Sequence, residues 1–392
     1  MKKMPIFVLC MIVFLLLTGC WDRTEIEDQG FVVGSAIDLE EENGNDNSFK
    51  IKLTNQIVLP GGLGTPLQGG GRQQEAYHNI TITGSSIFEI IREMATSANE
   101  RLFFQHMKVV VVSDQVAKKP QLFSKVMDVY IRDHEMRRGM TVLIAKEGTE
   151  AKEILDVLPP GEKVPALYID SLLENSYKTA SSLEPLQVGQ LQERMLTKRS
   201  YTIPEIQVGD NQTLKYKNAA VFQAPENRMV ASLSGEETRG LAFLTEHDQT
   251  SPVMVNVDDE DVVIELVDIN HTYDVLSDDK DNLAFEISLN IEGSITEMLG
   301  ESKVLKASFF KKLEKETEKK VKEITEKTIK VVQDDLQVDV IQIGDTLFQR
   351  HYDLWQKVKD NWDQGENYFS KADIHVTVDV NISKTGTSDN FK

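Results

Sequence analysis

Cys20 is the residue in this sequence with the most explicit chemistry around it. It follows Leu17-Thr18-Gly19, an apolar residue at −3 and two small residues at −2 and −1. Small residues let a signal peptidase approach the backbone. The thiol is the one group in that stretch nucleophilic enough to take up a diacylglyceryl chain as a thioether. Cleavage between Gly19 and Cys20 would leave an S-diacylglyceryl cysteine with an amine free for N-acylation, for instance by palmitate. Other reactive groups show no such pattern. The seven histidines, at 78, 106, 134, 247, 271, 351 and 375, contain no His-x3-His or HExxH spacing. His106 precedes a run of valines and reads as a hydrogen-bonded structural residue. The carboxylate groups Glu40–Glu42, Asp258–Asp261 and Asp278–Asp281 lack the rhythm of a calcium loop and read as solvated turns. The Gly-rich stretch 61–75 lacks the Gly-Lys-Ser/Thr ending of a phosphate cradle and reads as a surface loop. There is no Gly-x-Ser-x-Gly elbow. No catalytic residue, cofactor or metal is expected.

The residues before Cys20 fit the same reading. Lys2 and Lys3 supply a short positive region, and Met4 to Leu17 is apolar apart from Pro5. About fourteen residues at 1.5 Å rise span roughly 21 Å, against about 30 Å of hydrocarbon. That is short for a spanning helix and right for a secretion signal. Leu17 to Cys20 therefore resembles the lipobox of bacterial lipoproteins. An ordinary secretory signal, or an uncleaved anchor that happens to contain a cysteine, is the alternative. On the lipobox reading residues 1–19 are a cleaved signal peptide, and everything from Cys20 onward lies outside the cytoplasm, lipid-anchored to a membrane. Cys10 leaves with the signal peptide and the Cys20 sulfur is consumed by lipid, so neither a disulfide nor a Cys-based metal site can form. Trp21 would stand beside the lipid as an amphipathic anchor, or pack against the first domain.

The formal charge of the 392-residue chain is −20, or about −22 without Lys2 and Lys3. An acidic body repels nucleic-acid phosphate and disfavours lying flat on an anionic bilayer. Acyl chains hold a protein at a surface but specify no orientation, so a protein partner is expected as well.

The elements that must carry these residues alternate. FVVGSAID (31–38) and FKIKLTNQIVL (49–59) read as paired strands, 78–85 as an alternating strand, and 86–99 as a helix with apolar positions at 87, 90, 91 and 94. Val109 to Val112 marks a buried central strand, 115–133 a helix, 140–145 a core strand, and 149–158 a helix capped by Thr149. Two helices are expected over 165–198, then a β-rich stretch with a short helix near 236–247, then a meander over 261–276 and 283–295. Residues 301–335 read as a long helix with apolar Leu305, Phe309, Leu313, Val321, Ile324 and Val332, decorated by Glu316–Lys320, Glu318–Lys322, Glu323–Lys327 and Glu326–Lys330 pairs. Its short apolar line, interrupted by Thr317 and Thr328, favours packing on its own sheet over a partner-binding coiled coil. An alternating strand over 372–383 should close a sheet. The class is α+β, multidomain, with mixed and antiparallel sheets. The expected units are 20–200 (an N-terminal α+β domain with its tether), 201–267 (a small β-rich middle domain) and 268–392 (a C-terminal α+β domain with the long helix).

Cys20-Trp21-Asp22, with Glu25, Ile26 and the strand around Gly34, Ile37 and Asp38, is similar to the opening of the C-subunit lipoproteins of spore-germination receptors, the Ger(x)C family. Gln105-His106-Met107-Lys108, Arg132, Arg137, Gly344, Trp355 and Trp362 extend the resemblance along the mature chain. The resemblance implies a fold of three α+β domains and a non-enzymatic, lipid-anchored subunit of a nutrient germinant receptor in the spore inner membrane. Its partners would be two integral membrane subunits, one of them transporter-like, in a complex that responds to small germinants. The rival reading is a solute-binding lipoprotein of an ABC importer, which shares the lipobox and the size. Against it, such proteins repeat βαβ units in two lobes around an aromatic-lined cleft, whereas here the C-terminal half is meander plus helix and aromatics make up 7% of residues.

Overall fold

The computed structural model describes residues 29–43, 48–63, 75–174, 182–224, 226–246, 250–300 and 307–384. Gly19, Cys20 and Trp21, most of the Gly-rich stretch and His247 lie outside the described residues.

Ten strands form a large mixed sheet in the order β10-β9-β8-β6-β5-β1-β2-β3, with β4 beside β1 and β7 beside β6. They are β1 (Gln29–Asn43), β2 (Ser48–Val58), β3 (Tyr77–Gly84), β4 (Arg101–Phe103), β5 (Val109–Ser113), β6 (Thr141–Ala145), β7 (Leu186–Gln187), β8 (Tyr201–Val208), β9 (Leu214–Gln223) and β10 (Arg228–Leu233). The valines of β5 are fully buried between β1 and β6, both parallel to it. A strand apolar on both faces needs cover on both. One face carries α1 (Ile87–Ser97), α2 (Leu122–Arg132) and α5 (Val188–Thr197); the other carries α3 (Ala151–Asp156) and α4 (Pro165–Glu174). The helix expected over 115–133 is a short turn at Asp114–Lys118 followed by α2. Pro120 explains the break: it disfavours the α region for Lys119, and Gln121 then takes the left-handed conformation at φ 59°.

Two side chains of β1 and β2 fasten α3 and α4. The Asp38 carboxylate accepts from the Ala151 and Lys152 amides at 2.7 and 3.1 Å, so α3 is capped from a strand rather than by Thr149. Gln56 donates to the Leu155 carbonyl at 2.8 Å and accepts from the Ala166 amide at 2.8 Å.

The second sheet has four strands, β11 (Ser251–Val257), β12 (Glu260–Ser277), β13 (Ala284–Met298) and β14 (Asp373–Lys384), in that order. The first three form an antiparallel meander, in which β12 and β13 are the two strands expected and β11 is an addition, and β14 lies parallel to β13 as an edge. Their connection contains α7 (Ala307–Lys330), a π-helical turn at Val331–Asp335, α8 (Ile343–Arg350) and α9 (Tyr352–Val358). α7 packs across this sheet and against α6 (Gly235–Thr245). Thr317, Thr325 and Thr328 are buried along its apolar stripe, each donating to the carbonyl four residues earlier, so no hydroxyl is left unpaired. Its charges pair otherwise than expected: Lys322 meets Glu326 and Lys327 meets Glu236 of α6.

Residues 201–267, expected as a middle unit, give β8 to β10 to the large sheet and β11 and the start of β12 to the small one. Alternation along β9 explains the division. Ala220 and Phe222 face the core under α2, while Ala219 and Val221 face the core that continues into the C-terminal sheet. Period-two patterning marks a strand with two apolar faces but does not name its neighbours. No described helix is long and apolar enough to cross a membrane.

Candidate functional site

A dense polar arrangement lies where the large sheet meets the segment after α7. Asp339, nearly buried, is its hub. Its carboxylate accepts from the Gly344 amide at 2.7 Å, the Trp362 indole N–H at 2.7 Å and the Ile343 amide at 3.3 Å. Burial pushes its carboxyl above the usual carboxylate range, and the Gly344 and Trp362 donors act the other way. A side chain at residue 344 has no room here. A Cβ would stand 2.9 Å from the Trp362 indole nitrogen, 3.1 Å from the Asp339 carboxylate and 3.2 Å from the Trp355 ring. Trp355 and Trp362 pack edge to face with centroids 6.2 Å apart. The three positions singled out by resemblance in this third of the chain are therefore one packed cluster.

From the large sheet, α5 and the turn after it contribute Arg194 and Arg199, both of which reach the Asp345 carboxylate. Burial draws both guanidinium groups below their ordinary values, and the charge of Arg194 adds to the effect on Arg199. Ser200 donates to Asp363 at 2.5 Å, and its hydroxyl accepts from the Ala224 amide at 3.2 Å. Burial pushes the Asp363 carboxyl up to about 6 despite the Ser200 hydrogen bond. Beside these pairs runs a cleft of about 280 Å³ whose lining includes Glu184, Arg194, Tyr201, Glu246 and Gln342. Burial, reinforced by the Glu184 charge, pushes the Glu246 carboxyl up to about 7. Ser200 is partnered by a carboxylate, and no histidine joins this network among the described residues. What the arrangement can do is hold two sheets in one geometry through charge-assisted contacts.

The remaining motif residues have local roles. Gly34 lets α4 approach, since a Cβ there would stand 2.7 Å from that of Ala166. His106, expected as a hydrogen-bonded structural residue, is exposed and packs its ring against Phe31 and Phe103. Lys108 pairs with Asp170 at 2.7 Å and Arg132 with Asp128 at 2.6 Å. No three metal-ligating side chains converge among the described residues. The hairpin turn at Asp258 and Asp259 has left-handed φ at both residues, and Asp278–Asp281 is an exposed turn.

Asp339, Asp345 and Asp363 were not recognisable as partners of Arg194, Arg199 and Ser200. A weak signal existed in VDVIQIGDTLF, where single acids interrupt an otherwise apolar run. Isolated charges in such a setting are buried with partners or not at all.

Comparison with known proteins matches residues 22–208 to the family described as "Spore germination protein N-terminal domain" and residues 217–386 to "Spore germination B3/ GerAC like, C-terminal". "Spore germination protein YndF" of Bacillus subtilis (strain 168) is 30% identical, covering 98% of each chain. The chain belongs to the Ger(x)C family of spore germination proteins. Other relatives within the family are "Spore germination protein KC", 26% identical over 99% of this chain and 97% of its own, and "Spore germination protein B3", 26% identical over 99% of each, both from the same organism. The crystal structure of the GerBC protein superposes with a TM-score of 0.58 at 22% identity, covering 91% of this chain and 99% of that one. That likeness gives the Ger(x)C fold, a multidomain α+β architecture, over nearly the whole chain.

Proposed function

We propose that this Ger(x)C protein is a lipid-anchored, non-enzymatic subunit of a nutrient germinant receptor. Its body stands on the extracytoplasmic face of the spore inner membrane, acylated at Cys20 after cleavage behind Gly19. It acts by assembling with two integral membrane subunits, one of them transporter-like, and takes part only indirectly in the response to small germinants. The observation that carries this reading is the end-to-end match to both halves of a spore germination family. The joint at Asp339 and Asp345 supports it, because a scaffold needs fixed relative geometry more than a reactive group. The same match favours a receptor subunit over the solute-binding protein of an importer.

The test is affinity isolation of a C-terminally tagged chain from detergent-solubilised spore inner membranes. Two polytopic membrane proteins should co-purify, and spores carrying Cys20→Ala should germinate more slowly in nutrient while responding normally to a stimulus that bypasses receptors. Recovery of the chain alone, together with an unaltered nutrient response in the Cys20→Ala spores, overturns the proposal.

A further inference from the structure

The described residues begin at Gln29, and three exposed arginines stand at that end of the sheet. Gln29 lies in register with Arg101 on β4, and Phe31 with Phe103. The Lys108 amide donates to the Val33 carbonyl and the Thr141 amide to the Lys108 carbonyl, so the turn before β6, with Arg137 and Arg138, sits at the same end of the sheet. A groove lined by both Arg101 and Met136 joins the two segments.

Arg101, Arg137 and Arg138 are exposed, and none forms an ion pair among the described residues. Their basic neighbours are occupied: Arg132 by Asp128, Lys108 by Asp170 and Arg92 by the Phe88 ring, 4.9 Å away. The acids nearby, Glu100, Asp133 and Glu135, are half-buried, and Asp133 is turned to the Glu135 amide and His134. Beside the arginines the rings of Phe31, Phe103 and His106 meet pairwise at 5.5 to 5.8 Å. This ring cluster packs on itself and gives the arginines an apolar footing at the end of the sheet.

We propose that this end of the large sheet is the membrane-facing surface, with Arg101, Arg137 and Arg138 resting on anionic phospholipid headgroups. The inference rests on the anchoring at Cys20 proposed above. From Cys20 to Gln29 the chain reaches about 30 Å when fully extended, so this end can touch the headgroups. Screening confines the attraction to within about 8 Å, so only a surface in contact responds. The tether residues carry Asp22, Glu25, Glu27 and Asp28 against one arginine, Arg23, and cannot hold the body down themselves. A strongly acidic body is repelled from the same surface, so attraction at one end and repulsion over the rest turn the molecule end-on. Each arginine at an anionic surface favours contact about fivefold, and three together about a hundredfold.

The experiment couples the sulfur of Cys20 in the mature chain to a maleimide phospholipid in vesicles, which makes anchoring independent of lipidation in cells. Amide exchange is then compared between vesicles of phosphatidylcholine alone and vesicles containing a third phosphatidylglycerol. Exchange over 101–108 and 137–140 should slow several-fold only in the anionic vesicles. The slowing should vanish in Arg101→Glu/Arg137→Glu/Arg138→Glu protein that stays tethered and keeps its melting temperature. Equal exchange in the two vesicle types, or slowing that survives the charge reversal, overturns the inference. A sulfur found unmodified in spores would instead strike at the anchoring reading.

Discussion

Glu246 and Asp363 hold protons more tightly in the fold than in the unfolded chain. Burial lifts them to about 7 and about 6, against roughly 4 for exposed carboxyls. Between those values the folded state binds more protons at these two sites than the unfolded state, so their contribution to stability is full below about pH 4 and falls as pH rises towards 7. Glu246→Gln should therefore melt above the parent at pH 8, by the equivalent of about 3–4 kcal/mol, and coincide with it near pH 4. Thermal melts across that range check the sign. Asp339→Ala acts in the opposite direction. It leaves the Gly344 amide and the Trp362 indole N–H buried without an acceptor, at a cost of about 2–4 kcal/mol, and calorimetry should show that loss. Gly344, Trp355 and Trp362 were legible in the sequence as positions that matter. Their acceptor Asp339 was not, because a single acid in an apolar run does not announce which donors it will meet.

Helix α7 illustrates what element-scale reading can and cannot supply. Its period was plain, and so was its preference for its own sheet. Its close approach to α6 depends on Gly240, where a Cβ would stand 2.9 Å from the Ile324 carbonyl and closer still to the Thr328 hydroxyl. Gly240→Val should overpack this crossing and lower stability by about 1–3 kcal/mol, measurable as a shifted denaturant midpoint with unchanged slope. The adjoining flank of α7 guards a sheet edge. Glu318 accepts from the Val380 amide at 3.4 Å and Glu314 from the Ile382 amide at 3.2 Å. Four helical residues rise about 6 Å and two strand residues about 6.6 Å, so the carboxylates fall opposite alternate amides of β14. Exposed edges template unwanted pairing. Glu314→Ala/Glu318→Ala should accelerate amide exchange at Val380 and Ile382 and leave the β12 amides unchanged. The i,i+4 pairs expected on this helix did not anticipate these partners, which come from other elements.

Across the whole molecule, alternation along β8 to β10 was readable, but not the sheet those strands would join. β9 turns one face to each of two cores, and such sharing is decided by packing of distant segments. The consequence is mechanical: the N-terminal sheet cannot shift against the C-terminal one without disturbing Arg194, Arg199 and Asp345 together. Asp345→Ala takes the shared carboxylate from Arg194, which is half-buried, and from Arg199, which keeps Glu193 and the Phe348 ring. It should cost about 1–3 kcal/mol and weaken co-purification with membrane subunits; quantitative isolation from spores measures both abundance and partner yield. All of this presupposes that the body is held at a membrane by its first mature residue. The direct measurement is mass spectrometry of the N-terminal tryptic peptide from spore membranes, Cys20 to Arg23. A peptide beginning at Cys20 and carrying diacylglyceryl and an N-acyl chain is the predicted result. An unmodified thiol at Cys20, or a peptide running uncut through Gly19, would contradict the account.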